Sequence, residues 1–292
     1  MILAKRTLIH LFKTWGTCVS LVLLTACGTS NNSARPSDGI QVSDGSSLKS
    51  MVPASQLEAS ATRQYGAMKQ KAAQKNALAP DNHPQVIRLR AIAKKILPHA
   101  YAWNPESQAW KWEINLFMSD EVNAFCMPGG KIAFYSGILE KLKLNDDEVA
   151  TVMGHEIAHA LREHARDRIA KAQLSNLGAN VLSSALGLGN VGSQALGQGL
   201  QILGLSFSRA DEKDADLVGM DIAARAGYDP RAGVSLWQKM GQQSKDKQPE
   251  WLSTHPSGDS RIYEIQRNMT DALRLYARAK NTTIDRLPEY KP

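Results

Sequence analysis

Five consecutive residues, His155-Glu156-Ile157-Ala158-His159, form an H-E-x-x-H pattern inside a strongly helical segment. Residues four apart on a helix differ in direction by only about 40°, so both imidazoles project from one face and can share a metal ion. Glu156 lies beside them, where it can reach a metal-bound water as a general base. The pattern therefore predicts one zinc ion per chain, in a site built for hydrolysis.

A third protein ligand must come from another part of the chain. One known arrangement has a third histidine ten positions after the first, but that position is Ala165 here. His164 stands nine positions after His155, and on a continuous helix such a residue lies on the opposite face. We therefore expect His164 to be a packing or surface residue rather than a ligand.

Carboxylates of a later helical segment offer the alternative, a site of two histidines and one acid as in thermolysin-like enzymes. Spacing alone does not rank Asp211, Glu212 and Asp214. Glu212 and Asp216 stand four apart on one helical face, so one can bind metal while the other accepts a proton from a ligating imidazole. An ordinary exposed, charged helix is the competing interpretation of this run.

Helical periodicity surrounds the candidate ligands. Asn145 and the acidic residues after it suit the start of a helix that runs to about Arg168. Weaker patterns predict further helices over residues 55–77, 85–97 and 259–280. Pro98 is expected to end the second of these.

One stretch has the alternation typical of strands. Apolar and polar residues alternate from Trp112, a second apolar run ends at Tyr135, and a Pro128-Gly129-Gly130 turn lies between them. This predicts a small, mostly antiparallel sheet. The expected fold class is therefore α+β, mainly α.

Residues 174–206 are nearly uncharged and Gly-rich, with recurring Leu. Asn, Ser and Gln interrupt the run too often for a membrane-spanning helix. Helices that pack closely through small residues are the main interpretation, and a mobile or membrane-touching flap is the alternative.

The chain opens like a bacterial export signal, with a basic start, an apolar run over residues 15–24 and then Thr25-Ala26-Cys27. Small residues before a cysteine resemble a lipobox, which implies cleavage after Ala26 and lipidation of Cys27. An ordinary secretory signal with an incidental cysteine is the alternative. Gly28, where aspartate would retain a lipoprotein in the inner membrane, favours the outer membrane. We expect a signal peptide at 1–26, a flexible tether at 27–50, a zinc metallopeptidase domain at 51–280 and a loose C-terminal tail at 281–292.

Composition excludes several classes of protein. The 292 residues carry a formal charge of +7, and beyond residue 26 they include 32 basic and 28 acidic side chains. This mild excess, without a dense Lys/Arg block, argues against nucleic-acid binding. Three cysteines cannot build a disulfide framework. Once Cys18 leaves with the signal and Cys27 is lipidated, only Cys126 remains, in an apolar run typical of a buried structural thiol.

Four motifs in order resemble the HtpX/BepA/LoiP-type zinc metallopeptidases, relatives of the CAAX prenyl endopeptidase. They are N-A-F-x-x-P-G-G at 123–130, G-H-E-x-x-H-A at 154–160, S-R-x-x-E-x-x-A-D at 208–216, and Thr254-His255-Pro256 followed by Arg261-Ile262. The likeness covers roughly residues 85–280, and the lipobox makes the outer-membrane lipoprotein members the nearest in kind. It implies a gluzincin-type domain with the small sheet beside the H-E-x-x-H helix.

The resemblance also implies roles around the zinc. Glu212 becomes the third zinc ligand, and Asp216 supports a ligating imidazole. His255 and Arg261 would lie near the metal, where they stabilise the oxyanion of the transition state. In a latent state His255 would instead fill the fourth zinc position.

A substrate-binding strand is the remaining implication. The strand around Asn123 and Ala124 would be the edge that binds substrate backbone, because an unpaired edge offers free N–H and C=O groups. Cys126 departs from the pattern, since a small apolar residue is expected at its place.

These features predict a lipid-anchored zinc endopeptidase on the periplasmic side of an outer membrane. Through the resemblance, its substrates would be unfolded or misassembled envelope proteins, with outer-membrane assembly machinery as a further partner and no nucleic acid. A rival from another class is a lipoprotein chaperone or assembly factor with a structural or plugged zinc site and little proteolysis. A cell-wall amidase is a weaker third, since nothing beyond the zinc site points to glycan.

Overall fold

The computed structural model describes residue 36 and residues 38–185, 206–243, 249–256 and 259–292. The expected export signal, Cys27 and most of the Gly-rich segment lie outside the described residues, so the predictions about them stay predictions. Within the described ranges, no helix is both long enough and apolar enough to cross a membrane.

Helices dominate the described part of the chain, as the α+β, mainly α class requires. The helices are α1 (Ala54–Gln74), α2 (Pro84–Ala100), α3 (Ser136–Lys141), α4 (Asp146–Leu161), α5 (His164–Ala185), α6 (Arg209–Arg225), α7 (Ala232–Gln243), α8 (Glu250–Thr254), α9 (Asp259–Arg267) and α10 (Met269–Ala279). The strands are β1 (Glu113–Phe117), β2 (Ala124–Met127) and β3 (Lys131–Tyr135). The small sheet lies beside α4, and the predicted fold class is confirmed.

The sheet has the order β1-β3-β2, with β3 in the centre. β2 pairs with β3 antiparallel, but β1 pairs with β3 in parallel, with Ile114 opposite Ile132. The prediction of a mostly antiparallel sheet was wrong for this pair, because β2 intervenes in the chain and serves as the crossover that parallel strands need. The backbone at Leu78 bridges Phe117 on the outer side of β1. Among the described residues, β2 is therefore the edge without a strand partner.

Two predicted helix ends were wrong. Pro98 lies inside α2, which continues to Ala100. A proline is tolerated there because it lies in the last turn, where little of the helix follows it. The H-E-x-x-H helix ends at Leu161 rather than near Arg168. Glu163 has a φ of 59°, in the left-handed region, so the chain turns there and α5 starts in a new direction.

Helices α4 and α6 cross with their backbones in contact at Gly154 and Gly219. A Cβ on Gly219 would lie 2.6 Å from the amide nitrogen of His155, and one on Gly154 would lie 2.7 Å from the carbonyl oxygen of Gly219. Only glycine allows so close an approach. The crossing brings the H-E-x-x-H face of α4 against the first turns of α6.

Residues 38–52, here called the N-terminal strap, pack along the domain, although they fall mostly in the segment 27–50 that was predicted to be a flexible tether. Ile40 is 1% exposed within the main hydrophobic core, and its amide donates to the carboxylate of Asp221 at 3.0 Å. Val52 is also buried. The predicted tether therefore extends too far along the chain, because its residues from 38 onward are docked on the domain. Although the segment is mostly polar, the buried Ile40 side chain and the Asp221 carboxylate hold it in place.

The C-terminal tail, residues 281–292, is also docked rather than loose. The Tyr290 hydroxyl lies 3.3 Å from the side-chain amide of Asn145 and 3.2 Å from the Ser235 hydroxyl. Arg231 donates to the carbonyl of Pro288 at 2.8 Å. The tail thus closes over the start of α4.

Candidate metal centre

Helix α4 carries His155, Glu156 and His159 with exposures of only 2–3%. The helix begins with a reciprocal capping box. The Asn145 side chain accepts from the Glu148 amide at 2.9 Å, and the Glu148 carboxylate accepts from the Asn145 amide at 2.9 Å. The predicted helix start is confirmed, and it places the three reactive side chains on the last turns of a well-capped helix.

The start of α6 distinguishes the carboxylates that spacing left unranked. Asp211 forms a capping box with Ser208, whose amide donates to it at 3.0 Å. Asp214 accepts from Arg162 at 2.6 Å. Glu212, 1% exposed, is the acid that faces the imidazoles of α4.

Four donor groups converge, with all their ligand atoms within 4.8 Å of one another: His155, His159, Glu212 and His255. Nε2 of His155 lies 3.0 Å from Nε2 of His159 and 3.1 Å from Nδ1 of His255. The Glu212 oxygens approach these three nitrogens, in the same order, to 3.5, 3.4 and 3.0 Å. A tetrahedron around zinc with bonds of 2.0–2.1 Å has edges of about 3.3–3.4 Å. The donor set therefore fits a zinc ion in chemistry and in size.

Electrostatics favour the metal-binding forms of Glu212 and His159. Burial raises the pKa of Glu212, but hydrogen bonds with His159 and His255 and charge on His155 and His255 outweigh it, so the pKa lies well below its ordinary value. Burial, together with neighbouring His155, holds the pKa of His159 well below its ordinary value. An ionised carboxylate and a neutral imidazole are the forms that bind zinc.

Asp216 and Arg261 support the ligands from behind. Asp216 Oδ1 lies 3.0 Å from Nδ1 of His155, so it accepts that proton and leaves Nε2 free for a metal. Arg261 donates to both Asp216 oxygens at 2.7 and 2.6 Å, and its Nη1 lies 2.5 Å from Glu212. Its guanidinium stacks 3.9 Å above the Trp237 ring. These contacts favour a supporting role for Arg261 over contact with an oxyanion.

Helix α8 and the residue after it cover the site. The Trp251 indole donates to Glu156 Oε1 at 2.7 Å, and its ring stacks on His255 with centroids 5.0 Å apart. The Trp251 amide donates to the carbonyl of Val122, just before β2, at 3.1 Å. In this arrangement His255 lies among the metal donors and an indole engages the general base.

A cavity of about 620 Å³ opens beside the donors, a volume in the range of ligand sites. Its lining includes Glu156, His159 and His255 from the site, Asn123 and all of β2, Leu57 and Glu58 of α1, and Arg166 of α5. The cavity therefore runs from the metal donors along the open edge of the sheet.

The predicted substrate-binding residues lie at this cavity. Asn123 and Ala124 both line it, although the Asn123 carbonyl already accepts from the Tyr135 amide at 3.1 Å and Ala124 is 1% exposed. Cys126, expected to be a buried structural thiol, is partly buried, free and also on the lining. Burial raises the pKa of the Cys126 thiol well above its ordinary value, which keeps it protonated.

Three residues at the site were missed from the sequence. The Phe207 ring stacks on His159 with centroids 3.9 Å apart. Trp251 stands four residues before His255, a helical spacing that was available as a signal. His164, expected on the opposite face, lies against His159 with their Nδ1 atoms 3.0 Å apart. That expectation assumed a continuous helix, and the turn at Glu163 breaks it.

Comparison with known proteins adds the family. Residues 86–269 match the model of Peptidase family M48. The mitochondrial metalloendopeptidase OMA1 of Arabidopsis thaliana is 37% identical over 179 residues, 61% of this chain and 36% of that protein. The OMA1 of Saccharomyces cerevisiae is 32% identical over 211 residues, 68% of this chain and 60% of that protein. The Beta-barrel assembly-enhancing protease of Escherichia coli K12 is 31% identical over 200 residues, 64% of this chain and 39% of that protein.

The chain thus spans between 36% and 60% of the length of these three relatives. The relatives support the broad family and do not single out its HtpX or LoiP branch. The family match includes His155, Glu156, His159, Glu212 and His255, which the fold brings into one buried donor set. The chain belongs to Peptidase family M48, the metallopeptidases of which use zinc.

Proposed function

We propose that this chain is a zinc-dependent endopeptidase that hydrolyses unfolded or misassembled envelope proteins. One observation carries the proposal. Glu156 and two members of a donor set of zinc dimensions, His159 and His255, line a cavity bordered by the open edge of β2. A folded substrate cannot add a strand to this edge, so the arrangement favours extended chains.

Different residues of the chain bind the metal, transfer the proton and orient the substrate during hydrolysis. His155, His159 and Glu212 would hold a zinc ion, which would polarise the scissile carbonyl as a Lewis acid and lower the pKa of a water. Glu156 accepts the proton of the attacking water and passes it to the leaving amine. The open edge of β2 orients the substrate backbone through main-chain hydrogen bonds.

Two contacts block the site in the described arrangement, which we therefore interpret as a resting state. His255 Nδ1 lies 3.0 Å from Glu212 Oε1, where a substrate group would otherwise approach, and the Trp251 indole holds Glu156. Both have to withdraw before a substrate carbonyl can enter. The contacts support the latent role of His255 over the oxyanion role.

We further propose a location at the periplasmic face of an outer membrane, through a lipid on Cys27. The export-signal pattern supports it, and the name of the Escherichia coli relative refers to assembly of β-barrel proteins, whereas the OMA1 relatives are mitochondrial by name. With the N-terminal strap docked from Asp38, residues 28–37 would reach at most about 35 Å from the lipid. Mass spectrometry of the mature N-terminus tests this, and an unmodified Cys27 would contradict it.

Cleavage of casein tests the proposed activity. Wild-type protein should degrade casein, lose activity to a chelator and recover it with zinc. Glu156→Gln should retain zinc but lose about 10²–10⁴-fold in rate, because no group takes the proton. Glu140→Gln, an exposed substitution on α3, is the matched control and should behave as wild type. Equal cleavage by wild type and Glu156→Gln would contradict the proposal.

One observation favours the chaperone or assembly-factor alternative. Trp251 of α8 is hydrogen-bonded to the general base Glu156, and His255 lies against the ligand Glu212. It predicts that Glu156→Gln protects an aggregating client protein as well as wild type does. A peptidase predicts that client turnover stops in this variant.

A further inference from the structure

A buried group of polar side chains lies behind His159 and takes no part in the proposed chemistry. Arg162, His164 and Asp214 are 7%, 7% and 9% exposed. They belong neither to the metal donor set nor to the cavity lining. Three polar side chains buried this deeply need a reason, because burying polar groups costs free energy unless they are paired.

His164 joins His159 to Asp214. Its Nδ1 lies 3.0 Å from Nδ1 of His159, and its Nε2 lies 3.1 Å from Asp214 Oδ2. A neutral His164 keeps its proton on Nε2 to donate to the carboxylate, so its Nδ1 accepts. His159 must then carry its proton on Nδ1, which leaves the Nε2 lone pair directed at the other metal donors.

Asp214 is paired with an arginine in this position. Arg162 Nε donates to its Oδ2 at 2.6 Å. A carboxylate is a strong acceptor, and it fixes which nitrogen of His164 carries the proton.

The two ligating imidazoles of α4 therefore have supports of the same kind. His155 lies directly against Asp216, whereas His159 reaches Asp214 through His164. In each case an arginine neutralises the carboxylate. Outer partners of this kind orient a ligand and fix its tautomer, and losing one weakens metal binding about 10–100-fold.

Arg162 carries the connection to the N-terminal strap. Its Nη2 donates to the backbone carbonyl of Ser43 at 2.6 Å. The left-handed Glu163 beside it turns the chain so that His164 folds back onto His159. Ser43 lies outside residues 86–269, so the support of the site includes a segment that the family match does not cover.

We propose that His164 and Asp214 are positioning residues for the metal ligand His159, anchored through Arg162 to the N-terminal strap. The inference rests on the zinc site of the proposed function and concerns residues that the proposed chemistry does not use.

Zinc affinity of the full chain, measured by competition with a chromophoric chelator, tests the proposal. His164→Leu fills similar space but cannot accept a hydrogen bond. It should bind zinc about 10–100-fold more weakly and change the visible spectrum of the Co²⁺-substituted protein. His164→Gln can accept with its amide oxygen and donate with its nitrogen, so it should recover most of the affinity.

Asp214→Asn should weaken zinc binding in the same direction. Its matched control is Asp229→Asn, another buried carboxylate, which pairs with Arg231 away from His164 and from the N-terminal strap. This control should lower the free energy of unfolding but leave the zinc affinity of the folded protein unchanged.

Wild-type zinc affinity and an unchanged cobalt spectrum in folded His164→Leu would overturn the proposal, and so would equal losses of zinc affinity in Asp214→Asn and Asp229→Asn. Should His164→Leu not fold, the comparison of the two aspartate variants decides alone. Wild-type protein that folds but binds no zinc is a different result, because it contradicts the proposed function itself.

Discussion

His255 and Trp251 show how much of the resting state depends on single side chains. Both come from α8 or the residue after it, and they reach different targets: a ring nitrogen 3.0 Å from Glu212 Oε1 and an indole 2.7 Å from Glu156. Substrate entry and release of the general base are therefore coupled through one short helix.

Replacing His255 separates its two candidate roles. In His255→Ala the imidazole no longer competes with substrate, so we expect casein cleavage to rise. A tenfold rise would correspond to about 1.4 kcal/mol of preference for the resting state. Initial rates at saturating casein measure the effect, and Ser253→Ala on the exposed side of α8 is the control. A large fall in rate with zinc still bound would assign His255 to the oxyanion instead.

At this scale the sequence predicted what local helical geometry determines. His155, Glu156 and His159 needed only the helix period. Glu212 could be chosen only through the family resemblance, because the cap that occupies Asp211 depends on where α6 begins. His164 was assigned to the wrong face, because its direction depends on the left-handed backbone at Glu163. A glycine at that position would have indicated a turn in the sequence, whereas a glutamate does not.

The crossing of α4 and α6 sets the distance between the histidines and Glu212. It depends on two glycines, Gly154 and Gly219, whose backbones touch. Helix packing without side chains at the crossing therefore brings the ligands of two helices within bonding distance of one metal.

We expect Gly219→Ala to force the helices apart, because its Cβ would meet the His155 nitrogen at 2.6 Å. The free energy of unfolding should fall by about 1–3 kcal/mol, and zinc affinity should fall with it. Urea denaturation and chelator competition measure the two effects. The control is Gly66→Ala on α1, where a Cβ meets nothing within 4 Å, and it should stabilise by about 0.5–1 kcal/mol. Gly219→Ala with wild-type stability and zinc affinity would contradict this account of the crossing.

For helices and strands, too, the sequence predicted what is determined locally and missed what depends on tertiary structure. Periodicity located α1, α2 and the start of α4, since each has its own apolar face or cap. The parallel pairing of β1 with β3 was not foreseen, because strand order is a tertiary property that alternation within a strand does not encode.

At the scale of the molecule, both ends of the described chain pack against the domain. The N-terminal strap inserts Ile40 into the core, and the tail brings Tyr290 to the start of α4. Composition suggested a tether and a loose tail, since it averages over a segment and does not register one buried side chain.

Ile40→Ala tests whether the strap belongs to the folded domain. Ile40 is 1% exposed, so its truncation should lower the free energy of unfolding by about 2–5 kcal/mol. Chemical denaturation of the full chain measures it. Ile87→Ala, at a site 56% exposed, is the control and should change stability little. Equal stability of the two variants would show that the strap is not docked in solution.

The central claim, that His155, His159 and Glu212 hold a zinc ion with His255 beside them at rest, is tested most directly by X-ray absorption at the zinc edge. We predict one zinc per chain, coordinated only by nitrogen and oxygen, with three imidazoles in wild type and two in His255→Ala. A folded chain without zinc, a sulfur ligand, or an imidazole count unchanged in His159→Ala would contradict the claim.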